Sequence, residues 1–242
     1  MRLSDTLPGK ANPIPRVSGM TLYCTLSEAI KNGRTDQVSE WATGVLDEVA
    51  SGRGETAAIR HPLGFLCLPV HRQGDEGVCV HLWGPLWHTS LTTLPTHCHS
   101  WELLSCVLTG ELHNQVISVI DDNAAPTHRV FEVHSSADGD EIRPTARRVR
   151  HETASVDVYR SGDCYELPAG VFHQTVVPDL TELVVTVALG LTNPNAVDLS
   201  LADLDMSTHR VRRRKCDRGE TIAAASIAHQ AIAAGVPLTG HQ

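Results

Sequence analysis

The chain has 242 residues, 20 Lys and Arg against 28 Asp and Glu, and a formal net charge of -8 with its 14 histidines neutral. Acidity of that order excludes a general nucleic-acid binder, and the length suits one domain with extensions and a sizeable core. No apolar run approaches the length that crosses a bilayer, residues 1 to 20 hold Pro8, Pro13 and Pro15 but no leader-like stretch, and the seven cysteines form no CxxC pair, so a cytoplasmic protein with free thiols and no membrane partner is expected.

Residues 1 to 22 read as a loose arm. Helix signals follow over residues 26 to 30 and 36 to 50. In the second, Val38, Trp41, Ala42, Val45, Leu46 and Val49 recur at three- and four-residue intervals, with Asp36 placed to cap the start and Gly52 and Gly54 to stop it. From Pro62 the period changes to that of strands. Residues 63 to 70 and 78 to 83 flank a turn-rich connection at 73 to 77, residues 87 to 96 read as a loop, and residues 103 to 108 and 111 to 120 read as a pair hinged at Thr109 and Gly110. Strand character resumes at 129 to 134. Residues 135 to 144 read as an exposed polar loop, and 156 to 159, 172 to 177 and 183 to 189 complete nine or ten short strands. Many short strands separated by Gly and Pro favour a barrel or sandwich over alternating strands and helices. After residue 193 come a basic run at 210 to 215, read as a solvated face or a clamp on the protein's own acidic surface, and an alanine-rich helix at 220 to 234. The expected organisation is an N-terminal arm with helices (1–59), a barrel (60–192) and a C-terminal extension with a helix (193–242).

Two stretches carry chemistry. In Thr96-His97-Cys98-His99-Ser100 the two histidines stand one residue apart, which in a β context sends both rings to one face. Some sixty residues on, Gly162 opens a stretch that runs through Pro168-Ala169-Gly170 to a third histidine, His173. Imidazole suits first-row divalent metals, and three ligands leave coordination positions open for substrate. Cys98 points away by alternation and reads as a small buried apolar residue. Glu102 becomes a fourth ligand only if a bulge turns it inward, since a one-residue offset faces the wrong way. Three neutral imidazoles leave a divalent ion's charge uncompensated, which favours an anionic substrate such as a thiolate or carboxylate.

The two motifs resemble the first and second signature motifs of the cupin superfamily. The resemblance implies a mainly β protein: a cupin-type double-stranded β-helix (jelly-roll) barrel with N-terminal helices and a C-terminal helical extension. The first cupin motif usually adds a glutamate, but Leu103 stands at that position and Glu102 one residue early. Within the superfamily the ligand set is similar to that of cysteine dioxygenase and related thiol dioxygenases. This implies Fe(II) as cofactor, O2 as co-substrate and a small amino-acid-like or thiol substrate. Zn, Mn, Ni and Cu stay open, because they also bind imidazole. The chain departs from that family where Leu103 and Leu104 replace its crosslinked cysteine and where no tyrosine follows His173. Arg60 and Arg72 are candidates to bind a substrate carboxylate. His81 and Trp83 share a face by alternation; with His113 and Tyr159 they are candidate pocket residues, Trp83 for substrate binding and His81 and Tyr159 as candidate catalytic groups. Two other readings stand beside the oxygenase: a redox-neutral isomerase or lyase using another divalent metal as Lewis acid, and a metabolite-binding regulatory protein. Barrels of this kind commonly pair through sheet edges, so a homodimer is consistent with the resemblance.

Overall fold

In the computed structural model, residues 20–87, 91–136, 139–179, 181–193 and 195–235 are described; most of the expected N-terminal arm lies outside them. Thr21 starts α1 (Leu22–Lys31) by accepting the Cys24 amide on its hydroxyl at 3.2 Å. α2 (Thr35–Ala50) follows. Its N-cap is Arg34, with no side-chain cap, and Asp36 falls one position inside the helix, where its charge faces the positive end of the helix dipole instead of capping it.

The strands are β1 (Ile59–Arg60), β2 (Leu66–Gln73), β3 (Glu76–Trp83), β4 (His97–Cys98), β5 (Trp101–Thr109), β6 (Glu111–Asp121) and β7 (His128–Ser136). They continue with β8 (Gly139–Arg160), β9 (Cys164–Leu167), β10 (His173–Val176), β11 (Val184–Thr192), β12 (Asp198–Asp203), β13 (His209–Val211) and β14 (Arg214–Lys215), before α3 (Arg218–Gly235). One seven-stranded sheet runs β14-β1-β2-β3-β11-β5-β9, the other β13-β8-β6-β10-β4-β12-β7. All pairings are antiparallel, and the two sheets face each other as a double-stranded β-helix, or jelly-roll.

Period-two alternation divides the first sheet. Leu66, Leu68, Val80, Leu82, Leu104, Val187 and Leu189 point outward and pack under the helices, against Leu26, Val38, Leu46, Ala225 and Ile232. Each fully buried leucine there contributes about 1.5–3 kcal/mol. Cys67, Cys79, His81, Trp83, Leu103 and Thr186 point the other way, into the interior. The second sheet closes on itself, because the long β8 pairs with β7 through its first half and with β6 through its second. On one face of this sheet, Cys98, Ile117, Val130, Val149, Phe172 and Leu201 form a small core.

Several expectations change. The described part of the expected exposed loop at 135 to 144 is strand: Ser135 and Ser136 end β7, residues 139 to 144 open β8, Ser136 pairs with Gly139, and Asp140 and Ile142 are buried. The polar Asp140 reads as surface but is paid for by Ser135 (2.7 Å) and Arg213 (2.8 Å). β5 and β6 do not pair with each other; the chain passes from one sheet to the other at Gly110. The sheets also continue past residue 192, since β12 lies between β4 and β7, and β14 extends the first sheet beside β1. The basic run clamps the protein's own surface: Arg210 pairs with Glu141, Arg213 with Asp140 and Arg214 with Glu220. α3 starts with a reciprocal cap, in which the Glu220 amide donates to Asp217 at 2.8 Å and the Asp217 amide to Glu220 at 3.0 Å. Among the described residues no helix is long and apolar enough to cross a membrane.

Gly110 is the point on which the crossover turns. Its φ is +83°, and a Cβ there would lie 2.8 Å from the Leu183 carbonyl oxygen and 2.8 Å from Val184 Cγ2. Gly110→Ala is therefore expected to lower unfolding free energy by about 2 kcal/mol or more, combining left-handed strain with overpacking. Urea denaturation of the two proteins checks this; an unchanged midpoint would contradict it.

Candidate metal centre

His97 and His173 meet as a cross-strand pair between β4 and β10. β4 ends at Cys98, so His99 lies just beyond it, where the chain leaves the second sheet for the first. That corner is held by two main-chain bonds and one to a side chain: the Gly170 amide donates to the His99 carbonyl at 2.8 Å, the Asn193 amide to the Ser100 carbonyl at 3.1 Å, and the Ser100 amide to the Asp198 carboxylate at 2.6 Å. Gly170, at φ +81°, belongs to the Pro168-Ala169-Gly170 turn, so the second motif supports the first directly.

The three rings converge. Centroids lie 4.7 Å apart for His97 and His99, 4.4 Å for His97 and His173, and 5.1 Å for His99 and His173. One nitrogen from each lies within 4.8 Å of the others. Nδ1 of His97 lies 2.7 Å from the Pro95 carbonyl and Nδ1 of His173 3.3 Å from the Val171 carbonyl. A carbonyl accepts only, so each Nδ1 carries the proton and Nε2 keeps its lone pair free for a metal. Trp101 stacks on His99 at 4.0 Å and fixes its ring plane. Donor type, tautomer and spacing all fit one divalent cation.

Burial lowers the basicity of all three imidazoles. His173 is brought down to about 3, by desolvation first and the neighbouring His97 second. His99 falls well below the usual 6.5 for the same reason, reinforced by His97 and His173, and His97 shifts the same way. The rings are neutral at physiological pH and offer lone pairs without losing protons.

The histidines line a cavity of about 380 Å³ between the sheets. On the facing wall are Cys67, Cys79, His81 and Trp83, with Tyr165 from β9 and Arg72 and Arg213 also lining the space. Arg72 is exposed and carries no ion pair among the described residues, whereas Arg213 is held by Asp140 and Ser135. The phenol of Tyr165 is pushed up to about 12 by burial, so it stays protonated. The Trp83 indole Nε1 and the Ser200 hydroxyl line the cavity, are shielded from solvent and have no hydrogen-bond partner among the described residues. Two orphaned polar atoms in one cavity suit a polar ligand. The Cys67 and Cys79 thiols interact: their hydrogen bond pulls Cys79 well below the usual thiol range, with His81 acting in the same direction, and pushes Cys67 up.

Of the residues expected from the sequence, the structure brings His97, His99 and His173 together and places His81, Trp83 and Arg72 on the same cavity. It does not bring in four others. Glu102 is exposed, on the face of β5 opposite Trp101 and Leu103 and near Tyr23 of α1, as alternation from two inward neighbours requires. Arg60 is tied to Glu220 at 3.5 Å and to the Leu86 carbonyl at 3.2 Å. Tyr159 does not line the cavity; its ring stacks on Tyr165, which does. His113 is paired with Glu111 at 3.0 Å. Tyr165, Arg213, Cys67 and Cys79 were not anticipated. Tyr165 had a signal, since it lies two residues before Leu167 on an alternating strand within the second motif.

No family model matches the sequence, and no curated protein matches it. Solved structures similar in fold include an uncharacterised conserved protein with a double-stranded β-helix domain from Klebsiella pneumoniae, 15% identical, TM-score 0.30, covering 57% of this chain and 84% of that one. A cupin-like protein from Thermotoga maritima is 13% identical, TM-score 0.29, covering 54% and 67%. A hydroquinone 1,2-dioxygenase, solved with Cd2+ and 4-hydroxybenzonitrile, is 13% identical, TM-score 0.29, covering 52% and 63%. With likeness this slight, what the site does rests on the chain's own residues.

The neutral imidazoles give a pH test. Unfolded histidines take up protons below about 6.5, while His173 in the fold stays neutral to about 3. Stability is therefore present above 6.5 and lost as pH falls toward 3. The melting temperature of metal-free protein should fall through that window more steeply in the wild type than in His173→Gln; parallel pH profiles would contradict the assignment.

Proposed function

We propose that the chain is a mononuclear non-haem iron oxygenase acting on a small anionic substrate, thiol or amino-acid-like. The observation that carries this reading is the centre itself: three neutral imidazoles with no carboxylate among the clustered ligand atoms, and in front of them an open cavity that sets polar groups on an apolar wall. Such a donor set leaves the full double charge of the ion to attract an anion directly, which a carboxylate ligand would weaken. Bound Fe(II) would supply the redox chemistry that activates O2.

The protein's own residues would do the rest. His97, His99 and His173 hold the ion, and the Pro95 and Val171 carbonyls orient two of the rings. Arg72, at the exposed rim, draws the anion in and binds it at the mouth. Trp83 Nε1 and the Ser200 hydroxyl supply donors for the substrate's polar groups. Tyr165, protonated throughout the neutral range, donates a hydrogen bond and does not act as a base. The apolar wall of Phe65 and Leu103 limits water, which strengthens each of these polar contacts.

The test is anaerobic reconstitution with Fe(II), followed by oxygen-electrode assays with a panel of small thiols and amino acids. Iron-dependent oxygen uptake is expected. His97→Ala and His173→Ala should each lower turnover by about 100-fold or more, at least the loss seen for residues that only support a ligand. Arg72→Leu should raise KM about 10-fold with kcat little changed, as loss of a charged hydrogen bond made equally in ground and transition states requires. Equal turnover under nitrogen would overturn the oxygenase and leave a redox-neutral metal enzyme.

A further inference from the structure

The wall facing the three histidines carries a second cluster of ligand atoms. Cys67 on β2 stands directly opposite His81 on β3, and Cys79 lies two residues before His81, so all three point from the same face. Their ligand atoms lie within 4.8 Å of one another. Cys67 and Cys79 are buried, free of disulfide and part of the cavity lining, and the His81 ring is braced by Phe65 at 4.5 Å.

We infer that Cys67, Cys79 and His81 form a second metal site, for a thiophilic ion of the Zn(II) class, with its fourth position open to the cavity. Thiolate is a soft donor and selects such ions over the harder ones that carboxylates hold. Tetrahedral coordination with Zn–S bonds of about 2.3 Å places two sulfurs about 3.8 Å apart, inside the span the three atoms already occupy. Charge agrees with geometry. Two thiolates offset the double charge of the ion and a neutral imidazole adds none, so the assembled site is neutral, and a neutral assembly is the form that a buried wall accepts at least desolvation cost. The two sites thus differ in kind across one cavity: an all-nitrogen centre that keeps its positive charge and a sulfur-rich centre that cancels it. On binding, the two thiols release their protons to solvent and two metal–sulfur bonds form, with no change of oxidation state.

The experiment uses the full chain, reduced and anaerobic, titrated with Co(II) as a spectroscopic probe and separately loaded with Zn(II). Wild type should take up two equivalents of Co(II), one of them with thiolate-to-cobalt charge-transfer absorption. Cys67→Ser/Cys79→Ser should lose that band and one equivalent. His97→Ala/His173→Ala should keep the band and lose the other equivalent, so failure of the sulfur site and failure of the three-histidine site are read separately. Zinc-edge X-ray absorption of His97→Ala/His173→Ala, which leaves the cysteines untouched, should show two sulfur scatterers per zinc at about 2.3 Å. The inference is overturned if folded wild type gives no thiolate band, if the band survives in the double serine variant, or if the zinc sees only nitrogen and oxygen.

Discussion

One main-chain hydrogen bond, from the Gly170 amide to the His99 carbonyl, carries the organisation of this molecule. It ties the turn that precedes β10 to the corner where the chain leaves one sheet for the other. His99 sits outside any strand, so nothing in the regular ladder holds it. The pair between His97 and His173 brings two rings together; the bond from Gly170 brings the third. A left-handed residue is needed at that turn, and glycine adopts it at no steric cost.

Around this corner the sheets divide their labour. The first sheet spends its outward face on the helices, with Leu66, Val80, Leu104 and Val187 sealed beneath α2 and α3. The second closes on itself through β8 and packs Cys98, Ile117 and Phe172 on the face away from the histidines. With the first sheet's outward face buried under the helices and a small core packed on the second sheet, the faces that line the cavity are free to carry polar groups. Burial then sets their chemistry: imidazoles remain neutral, a phenol stays protonated, and thiols shift in opposite directions by sharing a proton.

The tail of the chain belongs to this plan as well. β12 fills the place between β4 and β7, and the Asp198 carboxylate reaches the Ser100 amide beside the metal centre. Arg213, from the basic run, neutralises the buried Asp140 and lines the cavity. The rest of that cluster stays at the surface, and Arg213 is the member that reaches a buried partner.

The histidine doublet, the Pro-x-Gly turn and the third histidine were legible in the sequence because they are local patterns with a local physical meaning: alternation sets direction, and a turn sets where a strand begins. The barrel class was legible for the same reason, from short strands punctuated by Gly and Pro, as was the outward position of Glu102, one residue out of step with its inward neighbours. What only the tertiary structure decided depends on register and on distant partners. Counting from the turn at Gly74, the β2–β3 hairpin first pairs Arg72 with Gly77 and His71 with Val78; carried on unbroken, that register would set Cys67 opposite Leu82, on the face away from His81. The irregularity between Pro69 and His71 shifts the pairing by one residue and turns Cys67 inward, opposite His81. Proline lacks the amide hydrogen that a regular ladder requires, but whether a strand answers with a bulge, and on which side, is settled by what packs on its two faces.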